Sequence, residues 1–431
     1  MTAARAAAAY VLSRCRRFDA WSQQTIQAAR ERFSLNEREA ALCSRLCLSV
    51  LQNAALCDFY IDQYSSIPAA KLEPQVLDAL RLGTVQILFM DKIPVSAAVD
   101  QAVEQVKRSG SKAHSLVNAV LRRIAAEGSG LPEIPGQGTA AELATRYSHP
   151  LWLCEKLVEE NGYDFAKGFL AESNREPVLT VSVNLCRTDA VSYAKRLTDA
   201  GYTARVSPLS PVSVEIETSG SIAALPGFKS GDFFVQDAAA AMAVVSAAPK
   251  PGMRVLDTCA APGGKSLLCA ALMGNQGEIL SCDLHGKKLA RVEENAARMG
   301  FDIIRTSPMD AGAPTETLKD AFDLVLADVP CSGMGVIRKK PEIRYKDKEE
   351  LRRLPEVQLR ILRGAAACVR PGGALVYSTC TVFREENEDV VGKFLKENRA
   401  FSLAEMRTIW PQEFGTDGFF YCRMRRNDDS Q

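Results

Sequence analysis

The sequence has almost no excess charge of either sign: 53 lysines and arginines stand against 52 aspartates and glutamates over 431 residues. This balance excludes a chain-wide cationic surface, the usual means of binding nucleic acid without regard to sequence. Any nucleic-acid site must therefore be local. With 47% hydrophobic and 24% charged residues the chain has the composition of a folded protein. Its length predicts two or three domains.

Histidine is scarce, and the cysteines do not form metal-binding pairs. Only His114, His149 and His285 occur, and none of the 13 cysteines forms a Cys-x-x-Cys pair. We therefore expect no metal site. An odd number of cysteines spread over a long chain without a secretory leader predicts free thiols and a cytoplasmic protein. The apolar stretch 6–13 is too short for a membrane span and predicts the first helix.

Apolar spacing divides the chain into three predicted domains. Residues 1–126 carry helical periodicity, as at 76–88 and 113–124, and predict an all-α domain. A Gly- and Pro-rich stretch, 127–138, marks a boundary. Residues 139–230 mix one helical and two strand-like segments and predict a small α+β linker domain.

After residue 231 the pattern changes to short apolar runs separated by amphipathic helices. Four such runs lie at 255–256, 279–280, 324–327 and 375–377. Continuous apolar strands between helices are typical of a parallel sheet covered on both faces, so 231–431 is predicted to be a Rossmann-like α/β domain. Ligands of such domains bind at the carboxyl ends of the strands.

The first of these strands is followed by a glycine loop. The segment contains Cys259, Ala260, Ala261, Pro262, Gly263, Gly264 and Lys265. It lacks the first glycine of a phosphate loop and the G-x-G-x-x-G fingerprint. Asp283 follows Gly263 by 20 residues, the spacing of an acidic residue that accepts ribose hydroxyls. An adenosine ligand without a pyrophosphate fits this pattern best.

The third and fourth strands are each followed by a cysteine. Asp328-Val-Pro-Cys331 follows one strand, and Ser-Thr-Cys380 follows the other. A cysteine behind a strand is usually a small buried apolar residue. Two strand-end cysteines beside a carboxylate predict a nucleophilic thiol. A cation such as Lys265 would lower the pKa of this thiol, and Asp328 would act as general acid.

Three segments together resemble the Nol/Nop/Sun family of RNA cytosine-C5 methyltransferases. They are DTCAAPGGKS, DVPCSGMGVIRKKPEIRY and YSTCT, and the resemblance extends over nearly the whole chain. The N-terminal domain looks NusB-like around 115–123 and is similar to that of the subgroup that modifies 16S ribosomal RNA. Two positions depart from the family pattern: Ser182 stands where arginine is usual, and Phe414 where histidine is common.

The resemblance implies S-adenosylmethionine as cofactor and a role for each site residue. Cys380 would add to C6 of the target cytosine, Asp328 would protonate N3, and Cys331 would assist removal of the C5 proton and product release. Lys265 is expected in the catalytic group. The cofactor would be held by residues 259–265, with Asp283 at the ribose, Asp310 near the adenine and Asp328 alongside.

The expected partner is an unpaired or extruded cytosine of ribosomal RNA. The RNA would be bound either as naked RNA or within the small ribosomal subunit, and the protein is expected to be a monomer.

Two segments are locally basic. Six basic residues stand against two acidic ones in 337–348, and five against one in 104–123. A solvated helix face explains such runs about half the time. The position of 337–348 directly after the Pro-Cys loop favours RNA binding for that segment.

Four alternatives stay open at this point. The same reaction on transfer RNA or large-subunit ribosomal RNA differs only in the target. An amino-directed base methyltransferase would need an aromatic residue in the Asp328 loop, a phosphate-loop NTPase would need glycine at Cys259, and a non-enzymatic NusB-like RNA-binding factor would leave both cysteines unexplained.

Overall fold

The computed structural model describes residues 1–18, 22–218 and 220–428. The chain forms two compact units. The first contains Met1–Arg175 and the separate segment Ile337–Tyr345, and the second contains Glu176–Val336 and Lys346–Gln431.

The first unit is built from helices, and side chains of its first six α-helices form a common apolar core. Its helices are α1 (Ala3–Phe18), α2 (Ser22–Arg32), α3 (Glu37–Tyr64), α4 (Pro74–Phe89), α5 (Val95–Arg108), α6 (His114–Glu127), α7 (Ala140–Arg146), α8 (Leu151–Asn161) and α9 (Tyr163–Ser173). The periodic stretches 76–88 and 113–124 lie in α4 and α6, and their apolar faces enter the core. The predicted all-α N-terminal fold is therefore confirmed.

Helix α3 is the longest helix among the described residues of this unit. Asn36 caps it in a reciprocal capping box with Glu39, and its backbone leaves helical geometry at Asn53. By length and composition alone α3 is apolar enough to cross a membrane. In the structure Leu46, Val50 and Ile61 of this helix are part of the core of the first unit.

The basic segment 337–345 is anchored inside the first unit. Arg344 is fully buried. Its guanidinium donates to the carbonyl oxygens of Gln52 at 3.1 Å and Ser148 at 2.9 Å, and to Asn174 Oδ1 at 2.9 Å. Arg338 is also buried. The expectation that this whole segment presents its charges to RNA is therefore wrong for these two arginines, which hold protein oxygen atoms instead.

Replacement of Arg344 by methionine is expected to destabilise the first unit by at least about 3 kcal/mol. Each buried acceptor left without a donor costs about 1–3 kcal/mol, and Arg344 serves several. Arg344→Lys should rescue little, because an ammonium cannot reproduce the planar fork of the guanidinium. Denaturant unfolding checks this result, with exposed Lys92→Met in the same unit as the control. Equal stability of the two methionine variants would contradict it.

The second unit begins with a small antiparallel sheet in the order β2-β3-β1-β4. Its elements are β1 (Leu179–Val183), α10 (Ala190–Asp199), β2 (Thr203–Val206), β3 (Ser213–Glu217) and β4 (Phe233–Val235). Side chains of α10, among them Tyr193 and Leu197, pack on Val181 and Val214 of the sheet. The strand-like segments of the predicted α+β linker domain correspond to β1 and β3. The predicted domain boundaries themselves stay predictions.

The larger sheet of this unit has the order β10-β11-β9-β8-β5-β6-β7. Its strands and the helices between them are α11 (Ala238–Ala247), β5 (Arg254–Asp257), α12 (Gly264–Leu272), β6 (Glu278–Asp283), α13 (Gly286–Met299), β7 (Ile304–Pro308), β8 (Phe322–Asp328), α14 (Lys348–Leu351), α15 (Leu354–Cys368), β9 (Val369–Thr379), α16 (Glu388–Glu397), β10 (Phe401–Ile409), α17 (Pro411–Phe414) and β11 (Phe419–Arg426). Strands β5 to β9 pair in parallel. Strands β10 and β11 run antiparallel.

Alternate residues of the central strands point to opposite faces of the sheet. On β8, Leu324 and Leu326 pack in the layer with α11, α12 and α13. Val325 and Ala327 pack in the other layer, with α15 and α16. Burial on both faces explains why this strand is a continuous apolar run in the sequence. The predicted Rossmann-like domain is confirmed.

Candidate active site

The site residues follow the carboxyl ends of neighbouring parallel strands. Asp328 pairs with Ser378 between β8 and β9, and Asp257 pairs with Ser281 between β5 and β6. Asp283 pairs with Pro308 between β6 and β7. Along this edge of the sheet, the loops after β9 and β8 carry Cys380 and Cys331. The glycine loop after β5 comes next, followed by Asp283 at the end of β6. Strands are about 4.8 Å apart, so the cysteine end and Asp283 are separated by about 14 Å.

The structure brings the two strand-end cysteines into contact. Cys331 Sγ and Cys380 Sγ are 3.3 Å apart, although 49 residues separate them in the chain. The Gly335 amide donates to the Cys380 carbonyl oxygen at 3.0 Å. All 13 cysteines have free thiols. The sequence predicted that both cysteines would lie at one edge of the sheet, and the parallel β8–β9 pairing produces this contact.

The Cys331 thiol holds its proton tightly. Its hydrogen bond with Cys380, its burial, and the charges of Cys380, Glu386 and Asp328 raise its pKa well above the ordinary value. The expectation of a cation that lowers this pKa is wrong for Cys331. Cys331 is therefore a neutral thiol at neutral pH, able to donate a hydrogen bond to the Cys380 sulfur.

Lys265 contacts the carboxylate of Asp328. Lys265 Nζ lies 2.6 Å from Asp328 Oδ2, and Ser378 Oγ donates to Asp328 Oδ1 at 2.8 Å. The ammonium also lies 5.1 Å from the centroid of the Phe419 ring. The Lys265 side chain is 10% exposed and that of Asp328 33% exposed. A ligand can therefore reach the Asp328 carboxylate, and the less exposed ammonium of Lys265 neutralises the charge of that carboxylate.

Asp257 is a buried carboxyl that the sequence interpretation did not include in the site. Burial raises its pKa to about 6, although Ser266 and Lys265 oppose this shift. Ser266 Oγ donates to Asp257 Oδ2 at 2.7 Å, and Ser281 Oγ donates to Ser266 Oγ at 2.7 Å. The sequence did contain a signal for Asp257: this residue ends β5, just as Asp328 ends β8.

The raised pKa of Asp257 sets the direction of a pH effect on stability. An unfolded aspartate loses its proton near pH 4, while the folded one keeps it to about pH 6. Folding therefore favours the protonated form, and stability falls as pH rises from 4 to 6. Relative to Asp257→Asn, the wild type should lose about 2–3 kcal/mol between pH 4 and pH 7. Denaturant unfolding across this range checks the result, and parallel pH profiles would contradict it.

The glycine loop allows a ligand to approach the start of α12. Gly263 has φ of +110°, a conformation that residues with a side chain rarely adopt. An added Cβ would also lie 3.2 Å from Val292 Cγ1. The loop folds back, with the Gly263 amide donating to the Ala260 carbonyl oxygen at 2.6 Å. Backbone amides at the first turn of α12 are thus placed as donors for an anionic group.

Asp283 and Asp310 follow the next two strands. Asp283 Oδ1 accepts from the His285 amide at 2.9 Å. The Met309 amide donates to the Asp283 carbonyl oxygen at 3.1 Å. Asp310 Oδ1 accepts from the Gly312 amide at 2.9 Å, and Asp310 Oδ2 lies 2.9 Å from Arg360 Nη1. The Arg360 hydrogen bond lowers the pKa of Asp310. Both residues lie at the predicted edge, and Asp310 is also held in a turn.

Ser182 has a structural role in the small sheet. It is fully buried, and its hydroxyl donates to Gln236 Oε1 at 2.8 Å. This burial explains how serine is accommodated where the resembling family usually has arginine. Ser182 therefore cannot contact RNA.

Known proteins match this chain over each part of the architecture. The family model described as 16S rRNA methyltransferase RsmB/F matches residues 244–425, the NusB family model matches 2–126, and the ferredoxin-like domain of RsmF/B-like methyltransferases matches 149–223.

Full-length relatives are also similar. The chain is 36% identical over 428 residues to the probable ribosomal RNA small subunit methyltransferase B of Bacillus subtilis (strain 168), covering 94% of this chain and 95% of that protein. It is 30% identical to the Synechocystis sp. protein of the same name, covering 99% and 100%. The crystal structure of PH0851 matches with a TM-score of 0.80 and 26% identity, covering 98% of both chains.

The Rossmann-like sheet, with a glycine loop and carboxylates along its carboxyl edge, defines a methyltransferase domain joined to NusB-like and ferredoxin-like domains. The chain belongs to the 16S rRNA methyltransferase RsmB/F family.

Proposed function

We propose that this protein transfers a methyl group to C5 of a specific cytosine in 16S ribosomal RNA, through a covalent bond between Cys380 and C6 of the base. The observation that carries the proposal is the 3.3 Å contact between the sulfur atoms of Cys331 and Cys380. The Lys265–Asp328 ion pair joins the first turn of α12 to the end of strand β8. Two thiols and an acid at one sheet edge suit a reaction that needs a nucleophile, a proton donor and a proton acceptor.

The residues at the glycine loop fit S-adenosylmethionine, which supplies the methyl group. The amides at the start of α12 suit the methionine carboxylate, and Asp283 suits the ribose hydroxyls. Asp310 follows β7, one strand further, and would lie near the adenine. The cofactor would thus lie over β5 and β6, beside the cysteine strands.

Addition and methylation would begin at Cys380. Cys380 would lose its thiol proton to solvent, its sulfur would form a bond to C6, and the Lys265–Asp328 pair would pass a proton to N3 of the base. The electron pair that this addition places on C5 would form the new bond to the methyl group as the bond between that methyl group and the cofactor's sulfur breaks, which leaves S-adenosylhomocysteine. Asp328 suits this role because its carboxylate is accessible and forms an ion pair with the buried ammonium of Lys265.

Release would require Cys331 first to lose its own proton to solvent and then to accept the C5 proton. As the C6–S bond breaks, its electron pair would return to Cys380, which regains a proton from solvent, and the N3 proton would return to the Lys265–Asp328 pair. In the free protein the hydrogen bond with Cys380 is the largest cause of the raised Cys331 pKa. Bond formation between Cys380 and C6 removes that cause, so the pKa of Cys331 falls at the step that needs it as a base.

Incubation of the purified protein with methyl-labelled S-adenosylmethionine and unmodified small-subunit ribosomal RNA tests this proposal. Nucleoside mass spectrometry should detect labelled 5-methylcytosine. A label on the exocyclic amine, or none in cytidine, would overturn it. Methylation of cytosine C5 in transfer RNA or large-subunit RNA instead would overturn the proposed target but support the proposed reaction.

We propose that the α5–α6 face, formed by the exposed basic residues of these helices and of the turn between them, contacts RNA. Lys107, Lys112, Arg122 and Arg123 are exposed there, whereas Arg108 pairs with Glu104 at 2.8 Å. Such a face gives local attraction in a protein whose overall charge is balanced.

Neutralising these four residues to alanine is expected to weaken RNA binding. Each lost phosphate contact should reduce the slope of log affinity against log salt by about 0.7. Filter binding at several salt concentrations checks this effect. The matched control removes four exposed charges elsewhere in the unit, at Arg30, Arg38, Arg45 and Lys92. An equal loss in both variants would contradict a specific role for the α5–α6 face.

A further inference from the structure

Two adjacent buried residues, Glu386 and Asn387, lie six and seven positions after Cys380. Glu386 is 3% exposed and Asn387 is fully buried. They lie where the loop after β9 enters α16. Their hydrogen bonds reach both cysteine loops.

Glu386 contacts the backbone on one side of Cys331. Its Oε2 accepts from the Ser332 amide at 2.9 Å and from Gln358 Nε2 at 2.8 Å. Gln358, fully buried on α15, also donates from Nε2 to the Pro330 carbonyl oxygen at 3.0 Å. The peptide groups before and after Cys331 are therefore both fixed by this pair of side chains.

Asn387 contacts both sides of Cys380. Its Oδ1 accepts from Thr379 Oγ1 at 2.6 Å, and its Nδ2 donates to the Thr381 carbonyl oxygen at 3.1 Å. The two loops are also joined to each other, since Ser332 Oγ and Thr381 Oγ1 are 2.7 Å apart. One dipeptide thus holds the backbone of each cysteine through a different residue.

We propose that Glu386 and Asn387 are positioning residues with separate tasks: Asn387 holds Cys380 for addition to the base, and Glu386, with Gln358, holds Cys331 for product release. This proposal rests on the proposed function. It predicts opposite defects from substitutions at two neighbouring positions, which a merely structural role for the dipeptide would not produce.

The charge of Glu386 supports this division. It is one of the groups that raise the pKa of Cys331, after the hydrogen bond with Cys380, burial and the charge of Cys380, and ahead of Asp328. Removing the carboxylate should therefore both loosen the Cys331 loop and make its thiol easier to ionise.

The first test compares Glu386→Ala and Asn387→Ala in a methylation assay, with denaturing gels that detect the covalent RNA–protein adduct. Glu386→Ala should lower kcat about 100-fold, as misplacement of a reacting group by about 1 Å can, and adduct should accumulate. Asn387→Ala should lower turnover with little adduct. Glu386→Gln should recover part of the activity, because its amide oxygen can still accept from the Ser332 amide.

Two controls separate positioning from loss of fold. Glu356→Gln removes an exposed carboxylate from α15, the helix that carries Gln358, and should behave as wild type. Binding of S-adenosylmethionine, measured by calorimetry, should be unchanged in all variants. Equal loss of adduct and turnover in both alanine variants, or normal turnover in Glu386→Ala, would overturn the division of tasks.

A second test needs neither RNA nor turnover, so it distinguishes failure of this proposal from failure of the proposed function. In the Cys380→Ser background, alkylation of Cys331 near neutral pH is followed by peptide mass spectrometry. Adding Glu386→Gln should make this alkylation about tenfold faster, because the thiolate is the reactive form. An unchanged rate would overturn the role of Glu386 even if wild-type protein makes 5-methylcytosine.

Discussion

Replacement of Cys380 by serine is expected to reduce methylation by at least about 10³-fold, because a hydroxyl is a far weaker nucleophile than a thiol and the neighbouring Cys331 thiol holds its proton tightly. Cofactor binding should survive, since the glycine loop and Asp283 lie on other strands. Single-turnover assays with labelled S-adenosylmethionine measure the loss.

Cys186→Ser is the matched control for this experiment. Cys186 is an exposed free thiol outside the site, so its replacement should leave the rate unchanged. A Cys380→Ser variant that formed 5-methylcytosine at the wild-type rate would remove the nucleophile from the proposal.

Replacement of Cys331 by alanine should have a different signature. Addition and methylation can proceed through Cys380, but the C5 proton loses its acceptor, so turnover should fall about 10²–10⁴-fold, the usual contribution of a positioned general base. The protein should then remain covalently attached to the RNA. A slowly migrating complex on a denaturing gel reports this state.

The double variant Cys331→Ala with Cys380→Ser provides the control, since it should form no adduct. If Cys331→Ala turned over normally, or if the double variant still formed the adduct, the assignment of the two cysteines would be wrong. Exchange of their roles would appear as an adduct that depends on Cys331.

The sequence was most informative for the strands whose apolar pattern leads directly to the predicted site residues. Strands β5, β6, β8 and β9 are apolar runs because both faces of the sheet are covered, and the predicted site residues follow directly at their ends. Strand β7 was missed because it is a short strand at the sheet edge, and Arg305, Thr306 and Ser307 interrupt the apolar pattern.

Side-chain partners could not be read from the same pattern. The run of charges around Arg344 has the composition of an RNA-binding surface, yet burial and three carbonyl acceptors give Arg344 a structural role. Lys265 was expected near a thiol, but the pairing of β5 with β8 places it against Asp328. Glu386 carried no sequence signal, because its contact with Ser332 depends on how the loops after β8 and β9 meet.

Bisulfite sequencing of total RNA from cells with and without the gene tests the central claim most directly. If this protein is an RNA cytosine-C5 methyltransferase acting on the small subunit, one protected cytosine in 16S ribosomal RNA should become convertible when the gene is removed, and wild-type but not Cys380→Ser protein should restore protection. Identical bisulfite profiles in the two strains would contradict the claim.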